Sequence, residues 1–521
     1  MFRRRRPITC SVGPEKQLTV DWQLFIDFEL VASDPIMIHD LDEAGGGRAR
    51  PRAAAARSPF GRRRCAARPM SVESLDVDGS PRALVVGGGL AGITSALILS
   101  ENGWRVTLVE ARPRLGGRAT SYRRGDLTVD NGQHVYLRCC TAYLGLLERL
   151  DAGPGSGLSV LQDRLDIPLR APDGTTARLK RTGAPAPLHL AGSLLRYGLL
   201  PLRDRSRLGR AALALRFTDP ADPAVDAQGF GEFMRKRGQS DRAVTRLWSV
   251  ISTATLNIDP DAASLALAAK VFRTGLLEDS GGADLGYAAV PLGEIHDTRA
   301  RAKLAAQGVQ VRDSTKVLSI GADRTVRLRT RDEGELTLRP DAVVLAVPHD
   351  VAATLVPAEV PAPFEKLGHS PIINVHVRYD RPVLDGPFLA GVDSPAQWIF
   401  DRSGQSGLPD AGRYLAVTVS AADAFIEQTV TELRAVFEVE LSRLLPCAAD
   451  ARIEDFFVTR ERQATFRQAS GTAALRPGPQ TPVPGLYLAG AWTATGWPDT
   501  MESAVRSGIS AARVAQEQYS G

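Results

Sequence analysis

Cysteine is scarce in this chain of 521 residues: there are five. That number excludes a disulfide-stapled scaffold. The adjacent pair Cys139 and Cys140 lacks metal-ligand spacing, so both read as core thiols and no metal is expected. A reducing, cytoplasmic setting is expected from the same count. Long apolar runs are missing too. Apart from the uncharged, glycine-rich stretch 83–100, no run of 18 residues could cross a bilayer. Three consecutive glycines in that stretch, and its continuation into a β-like segment, argue against a span there.

A chain-wide charge imbalance is also absent. The net charge of +5 comes from residues 1–69, which hold 13 basic and 8 acidic residues; the remainder carries 51 of each. A neutral body excludes a nucleic-acid footprint. The basic start, Arg3–Arg6, has no apolar h-region behind it, because Asp21, Asp27, Glu29 and Asp34 interrupt the next stretch; it is not a secretory signal. Its eight acidic residues disfavour a transit peptide. Arginine clusters, GGGRARPRAAAARSP and little periodicity make residues 1–79 a disordered or mis-assigned extension, with Met70 as an alternative start.

What is there is concentrated in residues 83–118, ALVVGGGLAGITSALILSENGWRVTLVEARPRLGGR. Ala83–Val86 reads as a buried strand. Gly87, Gly89 and Gly92 follow at G-x-G-x-x-G spacing, giving a tight turn, close approach to a pyrophosphate and close packing of the next helix. That helix, about Leu90–Glu101, aims its positive end at the phosphates, and Gly103 ends it. A second strand, Arg105–Val109, stops at Glu110, 23 residues after Gly87, where a carboxylate accepts hydrogen bonds from an adenosine ribose.

Arg112, then Arg114, Gly116, Gly117 and Arg118 (R-x-G-G-R) come directly after Glu110. This resembles the glycine-doublet signature of FAD enzymes of the amine oxidase and phytoene desaturase superfamily. The resemblance implies an α/β fold: a glutathione-reductase-like FAD-binding domain on a Rossmann-type parallel sheet, and an interrupted α+β substrate domain. The first takes residues 80–150, 286–350 and 475–521, the second 151–285 and 351–474. FAD is implied as a non-covalent cofactor, since the C-terminal motif has no Cys. Arginines of the doublet would hold the pyrophosphate opposite the helix.

Three further runs narrow the resemblance: D-N-G-Q-H-V at 130–135, L-W…A-T-L-N-x-x-P-x-x-A-S at 247–264, and T-A-T-G-W-P-x-T-x-E-x-A-V-R-S-G at 493–508. They are similar to the squalene-associated FAD-dependent desaturases, now understood as hydroxysqualene dehydroxylases. In the superfamily the strand ending at Gly490 and the helix from about Thr500 and Met501 face the flavin. One position departs from the pattern, Ala491, where the family carries an Asp on the ribityl chain.

The resemblance implies reductive removal of the hydroxyl of hydroxysqualene to give squalene, with an unidentified electron donor. A phytoene-type desaturase or isomerase is the alternative, and a non-enzymatic prenyl-lipid carrier a more distant one. His134, Asp259, Asp499 and Glu502 are the candidates for the acid such a reaction needs. A long hydrocarbon substrate also calls for peripheral contact with the inner face of the cell membrane. The apolar stretch Leu188–Leu200, read as a helix, is either a domain-core helix or a membrane-facing or substrate-tunnel element, and is the candidate for that contact.

Overall fold

The computed structural model describes residues 79–332, 334–361 and 363–520; the expectations for residues 1–78 lie outside it. β1 (Arg82–Val86) leads through the glycine turn into α1 (Leu90–Glu101), and the chain returns along β2 (Arg105–Val109). Along β1, Leu84 and Val86 join one apolar core while Ala83 and Val85 join another on the opposite face. A strand covered on both faces is how an apolar run without alternation comes to rest in a parallel sheet. That sheet has five strands in the order Gln310–Arg312, β2, β1, Ala342–Leu345, Leu486–Leu488, every pairing parallel.

A seven-stranded sheet forms the second layer system. Its order is Ile453–Thr465, Ser370–Tyr379, Tyr414–Val419, Trp398–Asp401, Phe388–Gly391, Asp166–Arg170, Thr176–Lys180. Its parallel joint, Ala390 opposite Leu169, brings together two segments more than 200 residues apart. The helix Met501–Ser520 returns to the first sheet and packs on α1. A Cβ at Gly508 would meet the Ala91 carbonyl at 2.3 Å, and Ser95 Oγ donates to the Gly508 carbonyl at 3.1 Å.

One expectation is corrected. Leu188–Leu200 is not one helix: a 3-10 turn, Leu188–Leu190, passes into Ala191–Leu195 and stops. Gly192 and Gly198 weaken the run, and Arg205 caps its loose carbonyls, donating to Leu195 and Leu200 at 2.9 and 2.6 Å. After Pro260 and Asp261, which the sequence places near the start of a helix, the helix itself begins at Leu265, where Ser264 Oγ accepts from Leu267 N. A 15-residue helix that the sequence reading left out, Leu202–Arg216, follows the broken stretch.

Candidate active site

The cofactor end is built on contacts that only glycine permits. Gly87 has φ +106°, and a Cβ there would meet the Ala346 carbonyl at 2.3 Å; one at Gly92 would meet the Gly87 carbonyl at 1.9 Å. Gly116 N donates to the Gly88 carbonyl at 2.8 Å, tying the R-x-G-G-R loop to the glycine turn. Gly89 and Gly117 then face each other so closely that a Cβ on Gly117 would lie 3.1 Å from the Gly89 Cα. α1 has no side-chain N-cap and no acidic residue in its first turn, so its first N–H groups point at whatever enters this cradle. Arg114 Nε is a buried donor with no partner among the described residues. The cradle therefore presents the donors a pyrophosphate needs.

Glu110 sits at the end of β2, and its carboxylate is already engaged. Oε2 accepts from Gly88 N at 2.7 Å and Oε1 from Arg112 N at 2.8 Å. Each oxygen keeps a second lone pair, so the group can brace the glycine turn and accept from a ribose together.

The four acid candidates separate cleanly. Asp259 is exposed and accepts from Asp261 N at 2.8 Å, a local turn cap. Glu502 is buried, and its oxygens accept from Ala142 N, Tyr143 N and Arg506 Nε at 3.2, 2.7 and 2.6 Å. It caps the helix Thr141–Arg149 from a neighbouring element and also lines the apolar cavity beside Met501 and Trp497. His134 and Asp499 differ from both: each is half-buried. Burial pushes the His134 imidazole below its ordinary value, and its Nδ1 lies 2.9 Å from the Gly132 carbonyl.

Asp499 is the more heavily perturbed. Burial raises its carboxyl to about 8, against the pull of Arg118, of Arg476 and of the Phe466 N–H that Oδ2 accepts at 2.9 Å. Asp499 N donates to Gln468 Oε1 at 2.9 Å. The loop that carries it is stapled from beneath by Arg476, which donates to Thr493 O, Thr495 Oγ1 and Trp497 O at 3.2, 2.7 and 3.1 Å. Thr500 and Met501, next in sequence, line an apolar cavity with Val135, Leu137, Val271 and Trp497.

Gly490 has φ +121° and donates to Ser507 Oγ at 2.9 Å. Ala491 is 1% exposed and packed in an apolar core; beside it Trp492 Nε1 donates to the Val347 carbonyl at 2.8 Å. No carboxylate follows Gly490 here. The sequence reading also missed the brace beneath His134. Asp130 and Arg402, each 6% exposed, form a buried ion pair, and Asp130 Oδ1 also accepts from Ser121 Oγ and Leu292 N. Asn131 carries Asn374 and Thr459 on its carbonyl at 3.3 and 3.1 Å. Only the D-N-G run hinted at this, since Asn374, Arg402 and Thr459 lie more than 240 residues downstream.

A protein-family comparison matches the flavin-containing amine oxidoreductases over residues 90–515. The chain belongs to that family. FAD is its cofactor, and the cradle described above fits it. A hydroxysqualene dehydroxylase of Rhodopseudomonas palustris is 32% identical over 82% of this chain and 96% of its own length. A 15-cis-phytoene desaturase of Solanum lycopersicum is 25% identical over 84% and 78%. Among solved structures, a putrescine oxidase superposes with a TM-score of 0.62 at 18% identity, over 85% of this chain and 99% of that one. At that identity the likeness establishes the fold alone. Among the described residues no helix is long and apolar enough to cross a membrane, and no group of His, Cys, Asp and Glu could hold a metal.

Proposed function

We propose that this FAD enzyme removes the hydroxyl of hydroxysqualene, giving squalene, and that Asp499 is the acid. What supports the reading is the place of the Asp499 carboxyl, which burial raises to about 8, between Pro498 and Thr500, two residues that line the apolar cavity. Dehydroxylation consumes a proton, whereas desaturation of a polyene releases one and calls for a base. A neutral carboxylic acid suits the first reaction and not the second.

Asp499 donates its proton to the departing hydroxyl, the C–O bond breaks, and water leaves with the electron pair of that bond. When bound and reduced, FAD supplies the hydride equivalent that closes the C–H bond. The carbon is thereby reduced by two electrons, which a donor outside the chain restores. Trp497, Met501, Val135 and Leu137 keep the cavity apolar, so that water does not recapture the allylic cation. Arg118 and Arg476 hold the Asp499 carboxylate once it has lost its proton. The hydrocarbon reaches this cavity from a membrane surface.

The test is anaerobic incubation of the purified, FAD-reduced protein with hydroxysqualene, and separately with phytoene under oxidising conditions. Squalene from the first supports the reading. Desaturated product from the second, with no squalene from the first, replaces it by the desaturase.

A further inference from the structure

The broken apolar stretch and the unanticipated helix Leu202–Arg216 form one surface. Leu188, Leu195, Leu202, Leu213 and Phe217 are 63, 66, 76, 54 and 78% exposed, five of the largest apolar exposures among the described residues. At 100° per residue, Leu202, Ser206, Gly209, Leu213 and Phe217 fall on one stripe of the helix and its end, pointing to solvent. Asp204, Leu208, Ala211 and Leu215 fall on the opposite face and are buried. Arg203, Arg207 and Arg210 flank the outer stripe on one side, Arg205 and Arg216 on the other. Arg205 reaches the carbonyls of Leu195 and Leu200, which sets Leu195 along that flank.

The charge of this face is one-signed. Among the described residues no carboxylate pairs with Arg196, Arg203, Arg207, Arg210 or Arg216, although ion pairs are plentiful elsewhere on the surface. The helix's own acidic residue, Asp204, points inward and accepts from Ser240 Oγ at 2.9 Å. Asp219 and Asp222 lie beyond Phe217, at the far end. An apolar stripe edged by arginines, with a face packed on protein, is the arrangement of a helix lying in a lipid interface. Its place in the fold adds a second argument. The helix packs on Leu265–Phe272, and Lys270 and Val271 of that element line the apolar cavity beside Trp497 and Met501. One helix layer separates the surface from the cavity.

We propose that this face docks the enzyme on an anionic bilayer, the leucines and Phe217 entering the acyl boundary and the arginines meeting lipid phosphates. The proposal rests on the reading that the substrate is a membrane-borne hydrocarbon, and it names the surface and the lipid charge through which that substrate is reached.

The FAD-loaded full chain is mixed with vesicles of neutral phosphatidylcholine, and with vesicles containing a third phosphatidylglycerol, and bound protein is measured by flotation. Binding should be at least tenfold stronger to the anionic vesicles and should weaken as salt is raised. Arg203→Ala, Arg207→Ala and Arg210→Ala together should cut anionic binding about a hundredfold, each arginine contributing roughly fivefold. Leu213→Ser with Phe217→Ser should lower binding to both vesicle types. Flavin absorbance and melting temperature show that each variant is folded. Equal binding of parent and variants, or no preference for anionic lipid, overturns the proposal. So does a variant that only converts a dimer to a monomer, because the face would then belong to a second copy. A parent that binds vesicles but converts neither vesicle-borne nor detergent-dispersed hydroxysqualene keeps the docking proposal and removes the functional one.

Discussion

At the scale of single residues, the proposed acid Asp499 makes the first forecast. In the unfolded chain its carboxyl ionises near 3.8; in the fold it holds its proton up to about 8. The folded state binds the extra proton between those values, so this group's contribution is full below about pH 4 and is lost as pH rises through 8. Asp499→Asn should flatten that fall in melting temperature between pH 5 and 8. It should also lower kcat by about a hundred- to ten-thousandfold and abolish the alkaline limb of the rate profile. An unchanged limb would assign the acid to another group. Arg402 gives a purely structural contrast. Removing one partner of a buried ion pair leaves an unpaired charge, so Arg402→Met should cost roughly 3–5 kcal/mol in denaturant unfolding. Neither role was open to sequence reading in the same degree. Asp499 was legible as a carboxylate beside the flavin motif, but Glu502, three residues on, was equally so. Only packing shows that Glu502 caps a helix more than 350 residues away in sequence.

At the scale of elements, the strand, glycine turn, helix, strand and acidic residue of 82–110 were legible almost to the residue, because local rules dictate them. The failure at Leu188–Leu200 is equally physical. Its leucines fit a helix, but two glycines and Pro201 remove the propensity, and a side chain from the next helix takes over the capping. The parallel joint between Ala390 and Leu169 left no local trace, since nothing in either segment names its partner. For the nucleotide unit the forecast concerns Glu110. Glu110→Ala removes the expected ribose acceptor and also the brace on Gly88 and Arg112, so FAD affinity should fall by about 1–3 kcal/mol. Because the carboxylate bonds to Gly88 and Arg112 within the protein itself, the FAD-free variant should melt lower as well. Titration of FAD alongside melting of the apoprotein checks both, and a weaker affinity with an unchanged apo melting temperature would confine Glu110 to the ribose.

At the scale of the whole molecule, the two sheets are not independent bodies. One apolar cluster contains Val343, Leu345 and Leu486 of the parallel sheet together with Leu169, Phe388 and Phe400 of the seven-stranded sheet. The chain crosses between them repeatedly, and the same cluster holds Ala491 and Trp492 at the flavin end. That burial decides between two outcomes for Ala491→Asp. A carboxylate there would offer the ribityl contact of the superfamily pattern, but it would enter an apolar core at a site now 1% exposed, beside a Trp already bonded to Val347. An unpaired buried charge costs more than one hydrogen bond returns, so the variant should melt lower across both sheets and not tighten on FAD. Because the core is shared, calorimetry should show one transition that shifts as a whole. FAD at a hundred times its Kd should raise that single transition by an amount worth about 2.7 kcal/mol in parent protein. Two separable transitions, only one of them responding to FAD, would show that the sheets unfold apart and that the shared cluster does not couple them.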